Sequence, residues 1–99
     1  MTNPNLIGTL YKVNDEVFQV SVDFSNWLDS DTVSTGTVKC YYGSTETTST
    51  MIASVTDDND DEVTFTVQAG TSGQTYLIEV TAVTAGGDTW LAQINLVVN

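Results

Sequence analysis

The stretch from Gln74 to Val98 limits the possible folds more than any other part of the chain. From Tyr76 onward apolar and polar side chains alternate, with Tyr76, Ile78, Val80 and Ala82 on one side and Glu79 and Thr81 on the other. Gly86-Gly87 interrupts this run, and a second one sets Trp90, Ala92, Ile94, Leu96 and Val98 against Thr89, Gln93 and Asn95. A period of two puts successive side chains on opposite faces of a strand, and glycine accepts the positive φ that a tight hairpin turn demands. The pattern predicts an antiparallel β-hairpin with one apolar face. Such a hairpin is not stable alone in water, so the rest of the chain has to cover it.

Composition says what the cover is made of. Seventeen threonines and eight serines make up a quarter of the 99 residues, and valine is abundant. Threonine and valine have a stiff, branched Cβ that sits well on a pleated surface, so the cover is expected to be β as well. With 40% hydrophobic residues, including two tryptophans, four tyrosines and three phenylalanines, the chain can fill one modest core. Residues 1–13 read as an N-terminal arm or edge strand, and residues 14–99 as a single domain.

Five further strand-like segments, and one loop or weak edge, precede the hairpin. Leu6–Val13 is a weak strand, with Pro4 ahead of it where no ladder hydrogen bond is needed. Val17–Phe24 alternates cleanly, with Phe18, Val20, Val22 and Phe24 on one face. Ser25 is placed to cap a single helical turn whose Trp27 and Leu28 plug one end of the core. Thr32–Tyr42 carries Gly36, Val38, Cys40 and Tyr42 on one face, and Gly43 closes it. Ser44–Ser49 is a threonine-rich loop or weak edge, Met51–Val55 a short strand, and Glu62–Gln68 a strand with Val63, Phe65 and Val67 inward. About seven strands at this spacing, with no long helical period, predict an all-β, Ig-like antiparallel β-sandwich closed by the C-terminal hairpin. An OB-type barrel and a jelly roll are the closed alternatives.

Tyr76 follows the glycine-rich crossing Ala69-Gly70-Thr71-Ser72-Gly73 and opens the penultimate strand. That is the position of a tyrosine corner, in which the hydroxyl bonds back to the crossing backbone. The simpler reading is an ordinary half-buried strand tyrosine.

Most chemistry is excluded by what the chain lacks. It has no histidine, so no Ser-His-Asp or Cys-His arrangement and no imidazole metal site. Cys40 is a lone thiol in an alternating segment, read as a small buried side chain. The two glycine pairs are not phosphate loops, because no helix start follows them. Neither an enzyme nor a cofactor is expected. Within the acidic run, Asp57, Asn59 and Asp61 match the first three ligand positions of an EF-hand loop, but Glu62 replaces the required glycine and Gln68 the final glutamate. The run is a weak Ca²⁺ candidate at most, with a solvated turn that repels edge pairing as the plainer reading.

Thirteen acids against two lysines give a net charge of −11. Nucleic acid and anionic membrane surfaces repel such a chain, whereas a basic protein surface attracts it. A high net charge also simply keeps a small domain soluble. The amino terminus has no basic region followed by a long apolar run, so no signal peptide is expected. No apolar stretch approaches the ~20 residues of a membrane-spanning helix. What remains is surface recognition, with Leu10, Tyr11, Tyr41 and Trp90 as candidate anchors, Leu77 as a further one, and the arm before Val17 as a strand to add to a neighbour's edge.

Several segments together resemble one family. These are Asp15-Glu16-Val17, Val22-Asp23-Phe24-Ser25, Trp27-Leu28, Asp31-Thr32-Val33, Gly70, Gly73-Gln74-Thr75-Tyr76, the Ile78/Val80 alternation and Gly86-Gly87. In this order they are similar to the phage fiber-tail adaptors, small Ig-like virion proteins. The chain departs from them at Cys40-Tyr41-Tyr42-Gly43, where relatives often have a Pro-Gly turn. It departs again at Asp88-Thr89-Trp90-Leu91, where they carry basic residues. The resemblance implies a structural protein of the virion that links tail or baseplate to tail fibres, contacts other phage proteins and occurs in many copies of a symmetric assembly. An Ig-like capsid decoration protein and a carbohydrate-binding adhesion module are the alternatives. No catalytic or cofactor residues come with the family, and Tyr76, Trp27, Gly86 and Gly87 are expected to be structural.

Overall fold

A computed structural model describes residues 6–28, 31–56 and 61–99. Eight strands and two single helical turns follow in the order β1 (Leu6–Lys12), β2 (Phe18–Asp23), α1 (Ser25–Leu28), β3 (Val33–Tyr42), β4 (Thr45–Glu46), α2 (Thr48–Met51), β5 (Ile52–Thr56), β6 (Glu62–Val67), β7 (Thr75–Thr84) and β8 (Thr89–Val98). They form a five-stranded sheet, β1-β8-β7-β3-β4, and a three-stranded sheet, β2-β6-β5. The two sheets do not close into a barrel. An all-β sandwich results.

The C-terminal hairpin lies at the centre of the larger sheet. β7 and β8 pair antiparallel from Thr75↔Val97 to Val83↔Thr89. Every expected inward residue of β7, and of β8 from Ala92 on, is buried; Trp90 is half-buried and packs against the same core. Val22, Val63, Phe65 and Val67 of the smaller sheet complete this core with Val38, Cys40 and the hairpin side chains. Burying each large apolar side chain contributes roughly 1.5–3 kcal/mol, so the apolar face shared by the sheets is the main source of stability.

The turn of the hairpin uses its two glycines in different ways. Thr84 donates its amide to the Asp88 carbonyl at 2.8 Å, and its Oγ1 accepts the Asp88 amide at 2.9 Å. Gly87 has φ +96°, a conformation L side chains rarely adopt. Gly86 matters for a different reason, because a Cβ there would lie 2.6 Å from Oδ2 of Asp31 and the carboxylate would have to move aside.

Two features depart from expectation, the parallel pairing of β1 and the helical turn α2; β4 is the weak edge expected there. β1 runs parallel to β8, from Leu6↔Gln93 to Lys12↔Val98, with a register shift between Leu6 and Gly8. Alternation along one strand reports which face is buried and is silent about the direction of the neighbour. The segment expected to be a loop or weak edge contains the two-residue β4 and the start of α2, so Met51 ends a helical turn before β5 begins at Ile52. One turn is too short to produce a helical period in sequence. At α1 the Ser25 amide donates to the Asp23 carboxylate at 2.8 Å, and the Ser25 side chain bonds the same group. Those hydrogen bonds from the Ser25 backbone and side chain lower the Asp23 pKa. Leu28 is buried as expected, and the side chain of Trp27 lies outside the described residues.

Lys12 is the unexpected member of the interior, at 1% exposure. It follows Leu10 on the inward face of β1, and its Nζ donates to the carbonyls of Val13 and Asn14 at 3.0 and 2.9 Å. The aliphatic stem covers the end of the core while the ammonium group ties down the turn that leaves the strand.

Candidate functional site

Long strands with period-two burial leave one broad face of the larger sheet outward. Register places Glu46, Tyr41, Leu77, Asn95 and Thr9 in a single row that crosses all five strands. The next row toward the β7–β8 turn holds Lys39, Glu79 and Gln93, where the Gln93 side-chain amide donates to Glu79 Oε2 at 3.0 Å. On the other side, Tyr11, Val97 and Thr75 line up across β1, β8 and β7. With strands about 4.8 Å apart, Tyr11 and Tyr41 stand roughly 15 Å from each other on one face. Tyr11 is 69% exposed, and Val13 and Val17 in the following turn are exposed too. Tyr41 and Leu77 are half-buried by their neighbours.

The sequence candidates therefore divide. Tyr11, Tyr41 and Leu77 share the outward face. Leu10 and Trp90 have inward parity and pack against the core. Trp90 also buries its indole N–H without an acceptor among the described residues. The strand expected as an arm for a neighbouring subunit pairs with β8 of its own chain.

Tyr76 is buried, and its hydroxyl accepts the Thr71 amide at 3.0 Å and donates to Gln74 Oε1 at 2.7 Å. The side chain thus ties β7 to the glycine-rich crossing that precedes it. Tyr42 leans on the Tyr76 ring, with centroids 5.5 Å apart and planes tilted by 50°. The two rings border a cleft of about 290 Å³ whose remaining walls include Thr45, Thr47, Thr50 and Met51.

A second polar tie joins the hairpin turn to the start of β3. The Asp31 carboxylate accepts the Gly86 amide at 3.0 and 3.2 Å and the Thr32 amide at 2.9 Å. The Thr84 hydroxyl, with those amides, lowers the Asp31 pKa. Cys40 is fully buried, and desolvation raises its pKa, so it is poorly suited to act as a nucleophile.

Asp57 and Asn59 lie outside the described residues, whereas Asp61 immediately precedes β6 and uses its backbone carbonyl to accept the Phe24 amide at 2.8 Å. Among the described residues no three His, Cys, Asp or Glu side chains gather into a group able to hold a metal ion. Among them, too, no helix is long and apolar enough to cross a membrane.

The sequence profile of the family described as podophage GP4 fiber-tail adaptor protein gp77 matches residues 12–97. The chain belongs to this family. Membership makes it a tail-associated structural protein of a bacteriophage, in contact with other phage tail proteins. No curated protein matches the chain. The profile covers the sandwich from Lys12 onward, including the Tyr76 and Asp31 ties and four of the five strands that carry the outward face, β1 entering it only at Lys12. Sequence reasoning found the family through the residues around these ties. It missed Lys12, because a lysine in an alternating strand ordinarily marks the solvent side.

Proposed function

We propose that this fiber-tail adaptor is a non-enzymatic virion protein with an immunoglobulin-like sandwich that joins the tail or baseplate to the tail fibres by protein–protein contacts. The observation that carries this reading is the family match over most of the chain. The geometry supports it with a broad, uninterrupted sheet face bearing Tyr11, Tyr41 and Leu77. Aromatic residues provide large contact area at small entropic cost, which suits them to anchor a neighbour. The Ig-like reading is supported by the two-sheet architecture and by the hydroxyl of Tyr76 reaching back to the crossing.

Counting copies in purified particles by gel densitometry tests the role. An adaptor repeats only as often as the tail's symmetry requires, whereas a capsid decoration protein is present in hundreds of copies. Absence from the particle overturns the reading. Tyr11→Ala combined with Tyr41→Ala is expected to lower incorporation by about tenfold or more while the isolated domain stays folded. Full incorporation of that variant removes the outward face from the proposal.

A further inference from the structure

Among the described residues the sandwich is open along one side, with no strand paired to the outer edge of β1. β1 and β2 are terminal strands of their respective sheets, and a groove of about 280 Å³ lies between them. Its walls are Gly8, Leu10, Val20, Val22 and Ile94, with Ser21 at the rim. Val22 and Ile94 form a buried floor, while Leu10 and Val20 are half-buried and so only partly covered by this chain. Gly8 is exposed, and a Cβ built on it meets no atom within 4 Å. The backbone of β1 is thus bare where the groove is open.

A free edge next to an apolar groove is what strand addition uses: the incoming backbone pairs with the edge and alternate side chains fill the groove. The charge of the chain narrows the choice of occupant. At −11, a second copy is repelled. Exposed carboxylates flank β2 at both ends, Asp15 and Glu16 before it and Asp23 at its close. We propose that the groove receives an extended segment of a neighbouring virion protein, apolar at alternate positions and flanked by lysine or arginine, which adds to the free edge of β1. This rests on the adaptor reading and gives it a second contact surface, separate from the outward face.

Deuterium exchange of the full chain, free and within purified particles, tests the inference. The amides of residues 8–12 are expected to slow by about tenfold or more in the particle. Equal exchange in the two states overturns the inference, as does protection confined to residues 18–23. Either result leaves the adaptor reading standing as long as the chain is found in the particle. Absence of the chain overturns both. A second measurement uses the empty space at Gly8. A Cβ at Gly8 has no atom within 4 Å, and Gly8→Phe is expected to place its ring toward the open groove with the melting temperature retained. Incorporation is expected to fall about tenfold relative to Gly8→Ala. Equal incorporation of the two variants overturns the inference; if Gly8→Phe proves unstable, the exchange comparison on the unmodified protein decides. Asp15→Lys is expected to reduce incorporation severalfold, and no change overturns the basic flank of the occupant.

Discussion

The carboxylate of Asp31 occupies the space that a β-carbon on Gly86 would take, with Oδ2 2.6 Å from that position. One short side chain before β3 is thereby locked to the turn between β7 and β8. It accepts amides from Thr32 and Gly86 and a hydroxyl from Thr84, whose own oxygen organises the turn through Asp88.

Gly86→Ala is expected to drive the Asp31 carboxylate out of this seat and so to break its bonds to the turn. The melting temperature should fall by roughly 3–8 °C, read by circular dichroism. In an Asp31→Ala background the same change is expected to be nearly neutral, because the seat is already empty. Additive losses in this double-mutant cycle would show that the two residues act independently.

The pH dependence follows from the direction of the shift. The folded-state pKa of Asp31 is lowered, so its contribution is fully present above the unfolded value of about 3.9 and is lost as pH falls through the folded value. Asp31→Asn should therefore lower the melting temperature at pH 7, with that effect shrinking progressively as pH falls below the unfolded value. A gap between variant and parent that stays constant from pH 7 to pH 2.5 would contradict this.

Tyr76→Phe removes a buried hydroxyl that serves the Thr71 amide and the Gln74 side chain. The expected loss is about 1–2 kcal/mol by chemical denaturation, with faster hydrogen exchange at Thr71. Unchanged exchange there would mean that the crossing is held by its own backbone.

Lys12 allows packing and charge to be separated. Lys12→Met keeps most of the stem and frees two carbonyls belonging to exposed residues, so its cost should stay within about 1 kcal/mol. Lys12→Ala leaves a void beneath the β1–β2 turn and should cost about 2 kcal/mol or more. If the methionine variant is as unstable as the alanine variant, the ammonium group matters more than the stem.

Much of the fold was legible because burial in a sheet has a period of two. The faces of β7 and β8, the inward set of β6 and the role of the hydroxyl of Tyr76 all follow from alternation and from the placement of glycines. Lys12 and the direction of β1 were not legible. A lysine's chemistry usually puts it in water, and alternation does not reveal which way a neighbouring strand runs. The Asp31–Gly86 seat joins residues far apart in the chain, and only the folded geometry shows why one glycine of the pair needs small size while the other needs positive φ. The outward face was legible in part: Tyr11 and Tyr41 lie on it, whereas Trp90, offered as an anchor for its size, keeps the inward parity that its own alternation with Ala92 and Ile94 gives it.

The parallel register of β1 with β8 has a consequence for how the adaptor is made. Leu6 pairs with Gln93 and Lys12 with Val98, so the strand synthesised first has to wait for nearly the whole chain before its partner exists. Closing a loop of that size is slow, and on the ribosome the nascent β1 stays unpaired until residues near Val98 emerge. Until β8 is made, the β1 backbone has no ladder partner in the larger sheet.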